Sequence, residues 1–383
     1  MTKRVFSLLL ACAVLASFSA CAKSEQIKTD ASGQPPVPEA LPISETGTVP
    51  LSGRYEAVYT TKQGVKISFD AEIHAPASTG AVLKTELTGL PEETVRRMLA
   101  CFAGDAGLYT IAADGQREPF PTENALPESF EVCFDDGNAA PAKFGVQSQQ
   151  NNGGRYSVSY SNYSFNGCYS NHVPYSTSSA ADSAPARENA VDEAERFLAD
   201  IGLTEFHYAY AQYGYAYSYD SNTASADPGS IKLYFTRSYE GLDTPYVEMN
   251  SWANNHAGSS GNSVMRTAEY IAVELDGTGI VHFVYMNPVA ISGKTGENVA
   301  LIKADEAVSL FLGAMETYPA SEGDIMVSEI TLGYQFCPDA EDRANYDLVP
   351  CWIFIGTDSV WSAGFGTRTA QLIISAVDGS IVG

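Results

Sequence analysis

The stretch that most constrains this chain is KADEAVSLFLGAMETYPA, Lys303 to Ala320, with the β-rich runs behind it. Val308, Phe311, Leu312 and Met315 fall at i, i+3, i+4 and i+7, the spacing of one apolar helical face. Such a face has to be covered, and three strand-like runs follow: Ile325 to Phe336, Leu348 to Ile355 and Thr369 to Val377, the last ending in Asp378-Gly379. Nearly the same order occurs earlier. A helix over Arg187 to Ile201 carries the stripe Ala190, Ala194, Phe197 and Ile201, with Gly202 suited to the C′ position. Strands are expected near Phe206 to Tyr219 and Ile231 to Arg237, and the strand Tyr270 to Leu275 ends in Asp276-Gly277. These two runs predict a duplicated unit of one helix and one antiparallel sheet.

The residues between the N-terminus and the first repeat read differently. From Leu51 the pattern alternates: Arg54 to Thr61 and Val65 to His74 flank the turn-like Lys62-Gln63-Gly64, which predicts a hairpin. Ala81 to Leu87 suits a third strand, and Pro91 opens a short helix with acidic residues in its first turn. The composition shifts at QQNNGG, Gln149 to Gly154, which marks a domain boundary. The expected fold is therefore α+β: a β-rich N-terminal domain at 51–150, then two repeated helix-plus-antiparallel-sheet units at 151–290 and 291–383.

Ahead of these lie two segments of another kind. Lys3 and Arg4 precede an apolar run, Val5 to Phe18, shorter than the roughly 20 residues that span a bilayer, so residues 1–20 read as an export signal. The run closes with Phe18-Ser19-Ala20-Cys21, which resembles the lipobox of bacterial lipoproteins, although Phe18 stands where leucine is usual. That resemblance implies diacylation of Cys21 and a cell-membrane location on the extracytoplasmic face; the alternative is ordinary cleavage after Ala22. Residues 21–50 hold Pro35, Pro36, Pro38, Pro42 and Pro50 with no apolar period, the composition of a tether reaching up to roughly 90 Å if extended. A formal charge of −24 opposes nucleic acid and bare anionic lipid, and leaves neutral, cationic or already tethered partners.

With Cys12 in the leader and Cys21 acylated, Cys101, Cys133, Cys168, Cys337 and Cys351 remain, with no CxxC among them. Cys337 ends one expected strand and Cys351 begins the next, so a hairpin would bring them together as a disulfide contributing about 3 kcal/mol. Cys101 with Cys133 is a weaker pairing. Tyr213, Tyr215, Tyr217 and Tyr219 alternate, which would set four rings in a row on one strand face. Such a ladder, with Trp252 or Trp361, would stack on sugar rings, whereas the plainer reading is that tyrosine favours half-buried strands.

Signatures of chemistry are sparse. His74, His172, His207, His256 and His282 are scattered, with no HExxH and no pair at ligand spacing, so no metal site and no cofactor is expected. Ser259 lacks the GxSxG frame. Ser292-Gly293-Lys294-Thr295 imitates the end of a P-loop, but Pro288 stands in place of its first glycine. Asp220-Ser221-Asn222 starts like a calcium loop without the later ligands, and Asp339, Glu341 and Asp342 suit a solvated loop. A pair of carboxylates for glycoside hydrolysis is defined in space rather than in sequence, which keeps a hydrolase as the less favoured enzyme alternative.

A helix with a KADEA-like start, a set of antiparallel strands and a closing VDGSIV or LDGTGIV resembles the PepSY and YycI-type extracytoplasmic modules of Gram-positive bacteria. The likeness covers roughly Ala186 to Gly383, and the whole chain is similar to uncharacterised surface lipoproteins of clostridial (Firmicutes) bacteria. The resemblance implies a non-catalytic protein that regulates membrane kinases or peptidases, with no catalytic residue to carry over. The expected function is therefore a membrane-anchored lipoprotein that binds and modulates another surface or membrane protein. The alternative is a glycan-binding lipoprotein that uses the tyrosine face.

Overall fold

The computed structural model describes residues 40, 49–50, 52–138, 140–149, 155–162, 169–174, 186–218, 223–249, 269–338, 346–359 and 369–382. The chain begins in one sheet, here sheet I, with β1 (Gly53–Thr60), β2 (Lys66–His74) and β3 (Thr79–Leu87), then forms helix α1 (Glu92–Ala103). It passes into a second sheet, II, as β4 (Tyr109–Ile111), β5 (Arg117–Pro119), β6 (Phe130–Phe134), β7 (Ala142–Gln149), β8 (Arg155–Ser161) and β9 (Tyr169–Pro174). Helix α2 (Arg187–Asp200) precedes β10 (Phe206–Ser218), β11 (Thr223–Tyr239) and β12 (Leu242–Asp243), still in sheet II. The two-residue β13 (Glu248–Met249) touches sheet I before β14 (Tyr270–Asp276) and β15 (Gly279–Met286) return to sheet II. The rest belongs to sheet I: β16 (Val289–Ala300), helix α3 (Ala304–Met315), β17 (Ile325–Pro338), β18 (Tyr346–Asp358), β19 (Thr369–Ser375) and β20 (Ile381–Val382).

Sheet I runs β1-β2-β17-β18-β19-β13, with β3 placed between β18 and β16, and β20 on β19. Its strands are antiparallel neighbours except at β2–β17 and β19–β13, which are parallel. Sheet II runs β5-β4-β6-β7-β8-β15-β14-β11-β10-β9, antiparallel throughout. The Asp-Gly turns form as the sequence suggests. Asp276 Oδ1 accepts from Thr278 N at 2.7 Å and Thr278 Oγ1 at 2.6 Å; Asp378 Oδ1 does the same for Ser380, at 3.0 and 2.7 Å.

Sheet I carries one helix and sheet II two. On sheet I, α3 buries Val308, Phe311, Leu312 and Met315 as its spacing requires, and Phe311 stacks on Phe354 with centroids 4.3 Å apart while meeting Phe69 edge-on. The Trp352 indole donates to Ile302 O at 2.8 Å and pins the approach to the helix. On sheet II, α1 and α2 share one core: Val95, Met98, Ala194, Phe197 and Leu198 lie against Phe144, Val158, Phe235, Val273 and Phe283.

The α+β expectation is overturned. The chain is mostly strand, and its twenty strands and three helices, among the described residues, form two large sheets rather than a β domain followed by repeated helix-plus-sheet units. Consecutive antiparallel neighbours do follow two of the helices, β10-β11-β14-β15 after α2 and β17-β18-β19 after α3. Neither run stands alone: β15 pairs with β8 on its far side and β17 with β2. The 51–150 region is divided, with β1–β3 in sheet I and β4–β7 in sheet II. Its supposed boundary at Gln149 to Gly154 joins two paired strands, with Gln149 opposite Arg155. All described residues belong to one unit, Pro35–Gly383, and the leader, Cys21 and most of the tether lie outside them. Among the described residues no helix is long and apolar enough to cross a membrane.

Candidate functional site: the seam between the sheets and its pocket

The chain crosses between the sheets at β3–α1, β12–β13–β14 and β15–β16, and these crossings form a seam fastened by polar groups. Thr88 N donates to Pro288 O at 2.8 Å, and Asn287, at φ 49°, donates its N–H to Tyr156 O at 2.8 Å. The 243–245 segment lies so close over sheet I that a Cβ on Gly333 would sit 2.8 Å from Asp243 O and from Pro245 Cδ; only glycine admits that approach.

At the centre of the seam is Glu269, 3% exposed. Its Oε1 accepts from Tyr285 Oη at 2.8 Å and Val289 N at 3.2 Å; its Oε2 accepts from Arg237 Nε at 2.7 Å and Tyr239 Oη at 2.7 Å. Arg237 also donates through Nη2 to Val289 O at 2.5 Å. Tyr239 belongs to the core of sheet I and Tyr285 to that of sheet II, so one carboxylate joins both. Burial pushes the Glu269 carboxyl up, against Arg237 and the two tyrosine hydroxyls, which favour the ionised form. Every polar atom of this carboxylate is matched, which makes the cluster a fastening rather than a reactive centre.

Beside the seam lies a pocket of about 280 Å³. Its walls come from the end of β3 and the loop after it (Leu87, Leu90), the first turns of α1 (Glu92, Val95), the segment before β6 (Leu126, Glu128, Phe130), and β7 and β8 (Val146, Ser148, Tyr156). Pro91 precedes the helix at φ −54°, ψ 137°, and the helix has no side-chain cap; Glu92 and Glu93 occupy its first turn and favour its dipole. Glu92 Oε1 accepts from Arg96 Nε at 2.8 Å, Arg96 Nη2 at 2.5 Å and Leu126 N at 3.3 Å. Arg96 reaches on to Thr122 O and Asn124 O, each at 2.5 Å, so it ties the 122–126 segment to the helix. The Arg96 guanidinium holds the Glu92 carboxyl below its ordinary range, with the Leu126 N–H adding to it. The Tyr156 ring forms part of the lining: burial pushes its hydroxyl up, and a Cβ on Gly89 would meet the ring at 3.4 Å. The walls are therefore set before anything binds.

Of the residues singled out from sequence, those that the structure describes do not line the pocket. Tyr213 is 3% exposed and pairs with Ile231 on the helix-covered face, so its ring offers no platform to a sugar. Beyond Tyr213 the β10–β11 ladder carries register shifts at Gly214/Tyr215 and Tyr215/Tyr217. The side chains of Tyr215 and Tyr217, and all of Tyr219, Trp252, Trp361 and Cys168, lie outside the described residues. Cys337 and Cys351 are free thiols, as are Cys101 and Cys133. The hairpin is present, but its register sets Cys337 opposite Asp347 and Cys351 opposite Gly333. Burial, and then the nearby Cys337 thiol, push the Cys351 thiol up. Ser292 to Thr295 lies within β16, with Lys294 opposite Leu83, which is a strand and not a phosphate loop. Among the described residues no three His, Cys, Asp or Glu side chains are grouped to hold a metal ion. The pocket itself was missed, although a signal was present: Leu-Pro-Glu occurs at Leu90-Pro91-Glu92 and again at Leu126-Pro127-Glu128, and the Leu and Glu of both triplets line it.

The fold has a counterpart. The chain is similar to the crystal structure of an uncharacterized protein from Eubacterium rectale ATCC 33656, with a TM-score of 0.50, 13% identity, and coverage of 85% of this chain and 92% of the other. At that identity the likeness shows the fold alone. No family model matches the chain, and no curated protein matches it.

Proposed function

We propose that this is a non-catalytic extracytoplasmic binding protein, held at the membrane through acylated Cys21 and its proline-rich tether, which binds another surface or membrane protein and modulates it. The observation that carries the reading is the seam pocket, whose apolar walls are drawn from both sheets and held in part by Arg96, which ties the 122–126 segment to α1. A rigid concave patch of this kind suits a protein that must seat a partner's side chains.

The test is in-cell cross-linking of the full-length lipidated protein followed by mass spectrometry, with Leu126→Arg as the comparison. Recovery of one membrane kinase, transporter or peptidase, with cross-links at residues 87–92 and 126–130 and about tenfold less capture by the variant, is the expected result. Capture that the variant leaves unchanged, or recovery of wall fragments alone, would overturn it.

A further inference from the structure

We infer that the seam pocket receives an extended segment of the partner in which a lysine or arginine follows an apolar residue. This rests on the binding role proposed above and adds the chemistry of what is bound. The pocket's volume lies just under the roughly 300 Å³ at which drug-sized ligand sites begin, so it accommodates one or two side chains rather than a folded surface. Leu87, Leu90, Val95, Leu126, Phe130 and Tyr156 select the apolar residue.

The sign of the charge follows from the two Leu-Pro-Glu triplets, which each contribute a carboxylate to the lining. A helix start such as that of α1 would ordinarily attract an anion, but Glu92 and Glu93 already occupy its first turn. The cation closest in sequence, Arg96, is committed to Glu92 and to two backbone carbonyls, so it is not available to an acidic ligand. Glu92 uses only Oε1 in its bonds, leaving Oε2 without a partner among the described residues. Glu128 is exposed and has no ion pair among the described residues. The lining is acidic after its internal pairing is counted, and the −24 of the whole chain acts in the same direction on approach.

The experiment is calorimetric titration of the full-length protein with three acetylated, amidated peptides, Gly-Leu-Lys-Leu-Gly and its Gln and Glu analogues at the central position, with hydrogen exchange to locate the contact. The lysine peptide is expected to bind with protection at 87–92 and 126–130, the Gln analogue about threefold more weakly and the Glu analogue not measurably. Glu128→Gln should shrink the preference for the Lys over the Gln peptide, an outcome that a misfolded variant, which would lose both peptides alike, cannot mimic. Equal binding of all three peptides, no binding of any, protection elsewhere, or hexylamine binding as tightly as the lysine peptide would overturn the inference. Failure of the two ideas is distinguishable. A partner cross-linked at the pocket through a segment without a basic residue removes the ligand class and keeps the binding role, whereas a partner cross-linked elsewhere removes both.

Discussion

At the scale of single residues, Glu269 shows how much depends on one carboxylate. Its desolvation is tolerable because four donors converge on it, so removing one side of the pair leaves the other buried and unmatched. Arg237→Met is expected to lower stability by about 3–5 kcal/mol in urea denaturation, and a double change of Arg237 and Glu269 to apolar residues should recover much of that loss. Asp135 gives a pH-dependent counterpart. Arg117 Nη1 at 2.7 Å and then Tyr109 Oη at 2.9 Å hold its carboxyl low, so its contribution is present above the ordinary carboxylate range and is lost as pH falls through the depressed value. The urea midpoint of Asp135→Asn should therefore differ from the parent near neutrality and converge with it in acid. Neither residue was legible beforehand. Glu269 stands one residue ahead of the expected strand Tyr270 to Leu275, where nothing in the local pattern marks it, and what makes it special is the meeting of strands separated by tens of residues along the chain.

Elements were more readable, for a physical reason: a helix declares its buried face through local spacing. The stripe in α3 names four residues that the fold does bury, and Phe311, between Phe354 and Phe69, is the one whose loss leaves the largest void. Phe311→Ala is expected to cost about 3–5 kcal/mol, read from the shift of the denaturation midpoint at unchanged slope. The tyrosine run in β10 shows where local spacing stops short: it sets Tyr213 on a strand face and does not say that the face is covered. For the cysteines the hairpin was foreseeable and its register was not, with Cys337 opposite Asp347 and Cys351 opposite Gly333.

At the scale of the molecule the expected order of domains gives way to interleaving. Spacing tells which side of a strand is buried; it does not tell which strand lies beside it, and here the deciding neighbours are remote, β2 with β17, β8 with β15 and β3 with β16. The pocket inherits this, since its walls come from stretches that are ordinary alone and meaningful only when the crossings bring them together. One consequence is direct: residues 51–150 made as a separate fragment should not fold, because they supply parts of two sheets and complete neither. Poor amide dispersion in its NMR spectrum is the expected observation, and a well-dispersed native-like spectrum would count against the topology.

The parallel pairing of β2 with β17 also sets a clock on biosynthesis. Lys66 N donates to Asp324 across 258 positions of sequence. A polypeptide that emerges N-terminus first therefore presents β1, β2 and β3 long before the strand that shields them exists. Long-range closure of this sort is slow and leaves sticky edges waiting. The early hairpin must be kept from wandering into wrong company until the last quarter of the chain arrives, so chaperoning during synthesis, more than final stability, is where this architecture is most exposed to failure.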